Sequence, residues 1–164
     1  MPKTIVGVMG PGEKATKADC QLAFDLGRLI ASNDWLLLTG GRAHGVMHAA
    51  SEGAKSAGGL TVGVSPFNDQ RDLSPAVDIP ILTGLGEARN YVNVVSSQVI
   101  FVCGMNSGTA SEVALALKAQ RPVILLKPSE LALSFFRSLE SSVIAAADPK
   151  EAVRIAKDLL EKEP

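Results

Sequence analysis

The chain has 164 residues, enough for one domain with a sizeable core and too few for two ordinary ones. Hydrophobic residues make up 46% and aromatics only 4%, so the core has to be aliphatic and alanine-based, and a disordered chain is excluded. A balance of 16 basic and 17 acidic residues, with no run of like charges, excludes a broad electrostatic nucleic-acid surface while leaving room for a small anion in a local pocket.

Thr4 to Met9 is β-branched and apolar and stops at Gly10-Pro11-Gly12, which predicts a first strand feeding a glycine turn. That run is too short for a signal-peptide core, and no stretch approaches the roughly 18 apolar residues of a membrane span. Cys20 and Cys103 form no C-x-x-C pair and read as two reduced, buried thiols, so a cytoplasmic protein without a membrane partner is expected.

Thr16-x-x-Asp19 caps a helix whose Leu22, Leu26, Leu29 and Ile30 recur on one face. Trp35 to Thr39 is a second strand entering Gly40-Gly41-Arg42. Val46, Ala50, Ala54 and Ala57 then form a helix face of small residues, and Gly58-Gly59 ends that helix. Leu60 to Val64 is a third strand, and the polar stretch from Phe67 to Ala76 is a loop over the sheet edge. Val77 to Thr83 is a fourth strand, demoted by Pro80 to a bulged or edge strand. A helix from about Glu87 is expected to turn Tyr91, Val94 and Val95 inward, with Arg89 and Asn93 on another face.

Val99 to Val102 is continuously apolar, as in a parallel strand covered on both faces. It leads through Gly104 and Gly108 into an alanine-rich helix, where Thr109-x-x-Glu112 fits a capping box. A cap does not exclude a catalytic role for Glu112. Pro122 to Leu126 is a further strand, Leu131 to Leu139 a weak helix and Val143 to Ala146 a short last strand. Asp148-Pro149-x-Glu151 then starts a final helix with Ala152, Ile155, Ala156, Leu159 and Leu160 inward. Strand and helix alternate throughout. The expected architecture is one α/β domain over residues 1–164: a doubly wound, mostly parallel sheet of about six or seven strands with helices on both faces.

In such a sheet the turns after neighbouring strands converge at one edge. Gly10-Pro11-Gly12, Gly40-Gly41-Arg42 and Gly104 to Gly108 would ring one crevice with N–H donors, a site for a phosphate or similar oxyanion. Gly7 to Gly12 is not G-x-G-x-x-G and no Walker sequence occurs, so neither a dinucleotide nor a Walker-type triphosphate site is indicated. His44 and His48 have metal-ligand spacing but lack a third ligand, and no metal site is expected.

Taken in order, Val8-Met9-Gly10-Pro11-Gly12, Leu38-Thr39-Gly40-Gly41-Arg42, Gly45-Val46-Met47 with Ala49-Ala50, Gly86-x-Ala88-Arg89-Asn90 and Gly104-x-x-x-Gly108-Thr109-Ala110-Ser111-Glu112 resemble the molybdenum cofactor carrier proteins, within the wider superfamily of LONELY GUY phosphoribohydrolases. The resemblance implies a Rossmann-like subunit of a homo-oligomer, dimeric or tetrameric, that holds a phosphorylated pterin, protects it and passes it to molybdoenzymes. Gly10, Pro11, Gly12, Gly40, Gly41, Arg42, Gly104, Ser107, Gly108 and Thr109 would form its ligand site.

In the hydrolase branch a P-G-G-x-G-T-x-x-E motif supplies a catalytic Glu partnered by an Arg, roles that map onto Glu112 and Arg89. Here Gly104-Met105-Asn106-Ser107-Gly108 replaces the glycine-rich segment, and Asn90 stands where the hydrolases have Lys. Met105 and Asn106 are expected to place side chains where a phosphate would approach the backbone most closely, so the carrier branch is the better match, with a nucleoside 5'-monophosphate phosphoribohydrolase as the alternative.

Overall fold

The aliphatic runs become seven strands in a computed structural model that describes residues 1–162: β1 (Ile5–Met9), β2 (Leu36–Thr39), β3 (Thr61–Ser65), β4 (Ile79–Leu82), β5 (Val99–Cys103), β6 (Val123–Leu126) and β7 (Ile144–Ala146). They pair in the order β4-β3-β2-β1-β5-β6-β7, every pair parallel. The chain winds outward from β1 to β4, returns to the other side of β1, and winds outward again from β5 to β7. Neighbouring turns after β1 and β5 therefore leave the sheet in opposite directions and open a crevice between them.

Residue alternation divides each strand between two cores. Val6, Val8, Val99, Phe101 and Cys103 pack against α1 (Lys17–Ser32), α2 (Gly45–Ser56) and α6 (Pro149–Leu160). Met9, Leu38, Ile100 and Val102 face the second layer, formed by α3 (Arg89–Val95), α4 (Ser107–Lys118) and α5 (Glu130–Leu139). β4 is an edge strand in regular register with β3, and its Pro80 removes an N–H that a central strand would need.

Helix ends follow local chemistry. Thr16 and Asp19 exchange hydrogen bonds of 3.0 Å in a complete capping box at α1. At α6, Asp148 Oδ1 accepts from Glu151 N–H at 2.8 Å with Pro149 at the first position, while Glu151 reaches back to Ala147 N–H. α2 ends in paired bonds from Gly59 N–H to Ala54 O and Gly58 N–H to Lys55 O, with Gly58 at φ +73°, which leaves Ala57 exposed at the helix terminus instead of on the packed face.

Two expectations need correction. α3 turns its polar residues inward: Arg89, Asn90 and Asn93 are buried with Val94, whereas Tyr91 is 54% exposed and Val95 only half-buried. The reason is position, because α3 lies at the carboxyl edge of the sheet, where the interior is a polar crevice. Among the cysteines, Cys103 is buried but Cys20 is half-buried, both are free, and burial raises the pKa of each thiol.

α1 and α2 approach closely enough for backbone contact. A Cβ added to Gly27 would lie 2.1 Å from Ala50 O, and one added to Gly53 would lie 2.0 Å from Phe24 O. Alanine in an exposed helix interior gains about 1 kcal/mol over glycine. At Gly27 the sign reverses, because the clash is with backbone that no rotamer change relieves. Gly27→Ala is expected to lower stability by about 2–4 kcal/mol in urea unfolding.

Candidate functional site

The turns after β1, β2 and β5 meet around one cavity of about 580 Å³. Gly10 and Gly12 line it from the first turn, Gly40 and Arg42 from the second, and Asn106, Ser107, Gly108 and Thr109 from the third. Glu87, Arg89 and Asn90 close the side formed by α3, and Ser111 and Glu112 come from α4. Pro11, Gly41 and Gly104 lie outside this lining: Pro11 O accepts from Val46 N–H, Gly41 O accepts from Ser74 N–H, and Gly104 packs on the Asp19 carboxylate. Met105 leaves the crevice and lines a second, smaller cavity near Leu22 and Ala132, so its side chain does not crowd the first cavity. Asn106 alone occupies the turn.

Asn106 is also the cap of α4, which corrects the reading of Thr109-x-x-Glu112. Asn106 Oδ1 accepts from Thr109 N–H at 2.9 Å and from the Thr109 hydroxyl at 2.9 Å. Thr109 therefore sits inside the first turn, and Glu112 lies one turn further along with no backbone cap to make. The N–H groups of Ser107 and Gly108, at the start of a 12-residue helix, are left free by helix geometry, and both residues line the cavity.

Arg42 and Arg89 are the cations of the cavity, and they are held differently. Arg42 Nε donates to Asp72 Oδ2 at 2.6 Å and Nη2 to Glu13 Oε1 at 3.3 Å; Asp72 also takes His44 Nε2 at 2.6 Å. Ala43 N–H bonds Asp72 O, and Arg42 bridges Leu73, so the polar loop after β3 is strapped onto the β2 turn. Arg89 is 7% exposed and has no carboxylate partner among the described residues; it donates to Asn90 Oδ1 and, at 3.4 Å, to Gly40 O, while its Nε has no acceptor. Gly40 makes room for it, since a Cβ there would come within 2.8 Å of Arg89 Nη2.

Glu112 is 7% exposed and accepts one hydrogen bond, from Asn93 Nδ2 at 3.2 Å. Burial pushes its pKa up to about 7, against the lowering effects of Asn93 and of the Arg89 charge. Burial likewise lowers the pKa of Arg89, with the charges of Glu112 and Glu87 acting the other way. His48 Nδ1 lies 2.8 Å from the Ser74 hydroxyl and His48 Nε2 3.4 Å from Glu52, so the two histidines turn to separate partners. Among the described residues no three His, Cys, Asp or Glu side chains are grouped as a metal site.

Sequence reading missed Asp72, the cavity-lining Glu87 and Ser111, the bond from Asn93 to Glu112 and the capping role of Asn106. Asn106 carried a usable signal, because Asn three residues before Thr109 is itself a preferred cap. Asp72 carried none, lying 30 residues from its partner.

A seven-stranded, doubly wound parallel sheet with a crevice lined by glycine turns at its switch point defines a Rossmann-like α/β domain. The SLOG cluster4 family profile matches residues 3–153, and the chain belongs to that family. The molybdenum cofactor binding protein of Rippkaea orientalis is 52% identical, with a TM-score of 0.96 over 98% of this chain and 99% of its own. The molybdenum cofactor carrier protein of Chlamydomonas reinhardtii is 50% identical, with a TM-score of 0.93 over 98% of this chain and 100% of its own. An uncharacterized protein of Archaeoglobus fulgidus is 42% identical over 124 residues, which are 75% of this chain and 80% of that one.

The raised pKa of Glu112 has a consequence for stability. Below its ordinary value near 4.5 the carboxyl is protonated folded or unfolded; between 4.5 and about 7 the folded chain keeps a proton that the unfolded chain releases. Stability therefore falls as pH rises through that window, by on the order of 3 kcal/mol in all. Glu112→Gln removes the slope: in thermal unfolding its Tm should gain on the wild type from pH 5 to pH 8, and equal Tm differences at both pH values would refute the assignment.

Proposed function

We propose that this chain binds, protects and carries molybdenum cofactor, a phosphorylated pterin, and passes it to molybdoenzymes. The observation that supports this most directly is likeness at about half identity, over nearly the whole chain, to two proteins named for binding or carrying that cofactor. The cavity fits the chemistry. Its volume suits a ligand of this size. The start of α4, with the Ser107 hydroxyl and the free N–H groups of its first turn, faces Gly10 and Gly12 and offers donors to the terminal phosphate, while Thr109 lines the cavity beside them with its hydroxyl held by Asn106. Arg42 and Gly40 stand beside it, while Pro11, Gly41 and Gly104 hold the turns in shape without reaching the ligand. Exclusion of water around a reduced pterin is what protects it, so carriage needs no covalent step.

A second reading is favoured by the burial of Arg89 and Glu112 in the same cavity. In a nucleoside 5'-monophosphate phosphoribohydrolase, water adds to the ribose carbon as the base leaves with a proton, and a carboxylate can orient that water while a guanidinium steadies the leaving group. One experiment separates the two. The purified protein is titrated with molybdenum cofactor at micromolar concentration and, separately, incubated with AMP and other nucleoside monophosphates beside Glu112→Gln. Saturable cofactor binding without base release is the expected result. Failure to bind overturns the carrier reading, and base release that vanishes in the variant establishes the hydrolase.

The second layer also supports assembly of identical subunits. α4 packs beside α3 and carries Ala114 exposed and Leu115 and Leu117 half-buried, and α3 adds the exposed ring of Tyr91. A single α/β domain leaves such residues in water unless a second copy covers them. Light scattering is expected to give a mass of two or more chains, and a monomeric mass at every accessible concentration would contradict it.

A further inference from the structure

We propose that Glu112 and Arg89 read the amide edge of a 2-amino-4-oxopyrimidine ring, the carboxylate taking the ring N–H and the exocyclic amine while the guanidinium faces the ring carbonyl. The inference rests on the carrier reading and deepens it by assigning the pterin end of the ligand.

Glu112 lacks the structural reasons a buried carboxylate usually has. It does not cap α4, because Asn106 does. It does not pair with Arg89, which donates to Asn90 and Gly40 instead, and its only protein hydrogen bond among the described residues comes from Asn93. A buried carboxylate with a single donor is costly to keep and calls for further N–H partners. The neighbouring guanidinium keeps a buried Nε–H without an acceptor. A carboxylate with room for further donors and a guanidinium that no carboxylate neutralises thus line one cavity.

The position fits one end of a ligand whose other end is anionic. Glu112 follows Ser107 by five residues on α4, about 7.5 Å along the axis at 1.5 Å per residue. A phosphate seated at the helix start therefore lies clear of the carboxylate, which would repel it, and the heterocycle reaches the Glu112 end. A pterin presents there two parallel N–H donors beside a carbonyl oxygen. Two parallel donors match the two oxygens of a carboxylate, a pairing that an amide side chain cannot make.

Guanine carries the same donor–donor–acceptor edge, and hypoxanthine lacks only the amine, so GMP and IMP are the probes. Calorimetric titration of the wild type should show GMP binding at least ten-fold more tightly than IMP. In Glu112→Gln and Glu112→Ala, each checked for folding by thermal unfolding, the preference should fall below about two-fold. Equal binding of GMP and IMP by the wild type, a preference retained in both variants, or no GMP binding at millimolar concentration would overturn the assignment. So would guanine release during the titration, since it would place Glu112 at the ribose. Molybdenum cofactor titrated into the same three proteins keeps the two ideas apart. Equal binding by all three removes the role of Glu112 and leaves the carrier reading standing. Binding by none removes the carrier reading, while the GMP-to-IMP ratio still decides what Glu112 recognises.

Discussion

The approach of β1 to β5 is the constraint on which the rest depends. These two strands pair from Val6 with Val99 to Met9 with Val102 at the centre of the sheet, and their turns then part in opposite directions. The parting is tight: a methyl group at Gly10 would lie 2.2 Å from Cys103 O. Because Gly10 carries none, the first turn can lie against the end of β5. The start of α4 then faces it across a cavity instead of across a wall of side chains. A strand pairing, a glycine and a helix terminus are thus one feature seen at three scales.

That cavity concentrates polar groups that the rest of the protein has dispersed. Elsewhere charges meet partners directly, as Lys55 meets Asp78 and Arg71 meets Asp69. Inside the crevice Arg89 and Glu112 are buried and stay unpaired with each other, and behind them the fully buried Asn93 leaves its Oδ1 without a donor. Buried polar groups of this kind lower stability unless something completes them. A polar crevice of this kind is kept at the expense of stability, and a ligand that supplied donors to Glu112 would recover part of that cost as affinity.

Most of the architecture was legible in the sequence because it rests on local rules. Strand runs such as Val99 to Val102 are apolar on both faces, the cap at Thr16 and Asp19 is a short-range pattern, and Gly58-Gly59 ends a helix by backbone geometry alone. Convergence of three glycine turns on one edge followed from strand–helix alternation. The failures have a shared cause. Hydropathy turned Tyr91 inward and put Arg89 and Asn93 on another face because it equates the interior with oil, whereas the interior beside α3 is a polar crevice. The T-x-x-E pattern at Thr109 was real, but Asn106 competes for the same terminus and wins by standing one turn earlier. Asp72 reaches Arg42 through tertiary folding, and no spacing rule connects residues so far apart.

The backbone contact between α1 and α2 divides the molecule mechanically. Where Gly27 meets Ala50 O and Gly53 meets Phe24 O, no side chain stands between the two helices to absorb a displacement, so they must shift together or not at all. The opposite wall of the crevice rests on α3, seven residues entered through a single 3₁₀ turn at Gly86–Ala88 and preceded by a strand exposed along its whole length. Packing is therefore unequal across the opening. One side of the mouth is built from helices locked backbone to backbone, and the side that carries Arg89 from a short helix set in place by its side chains.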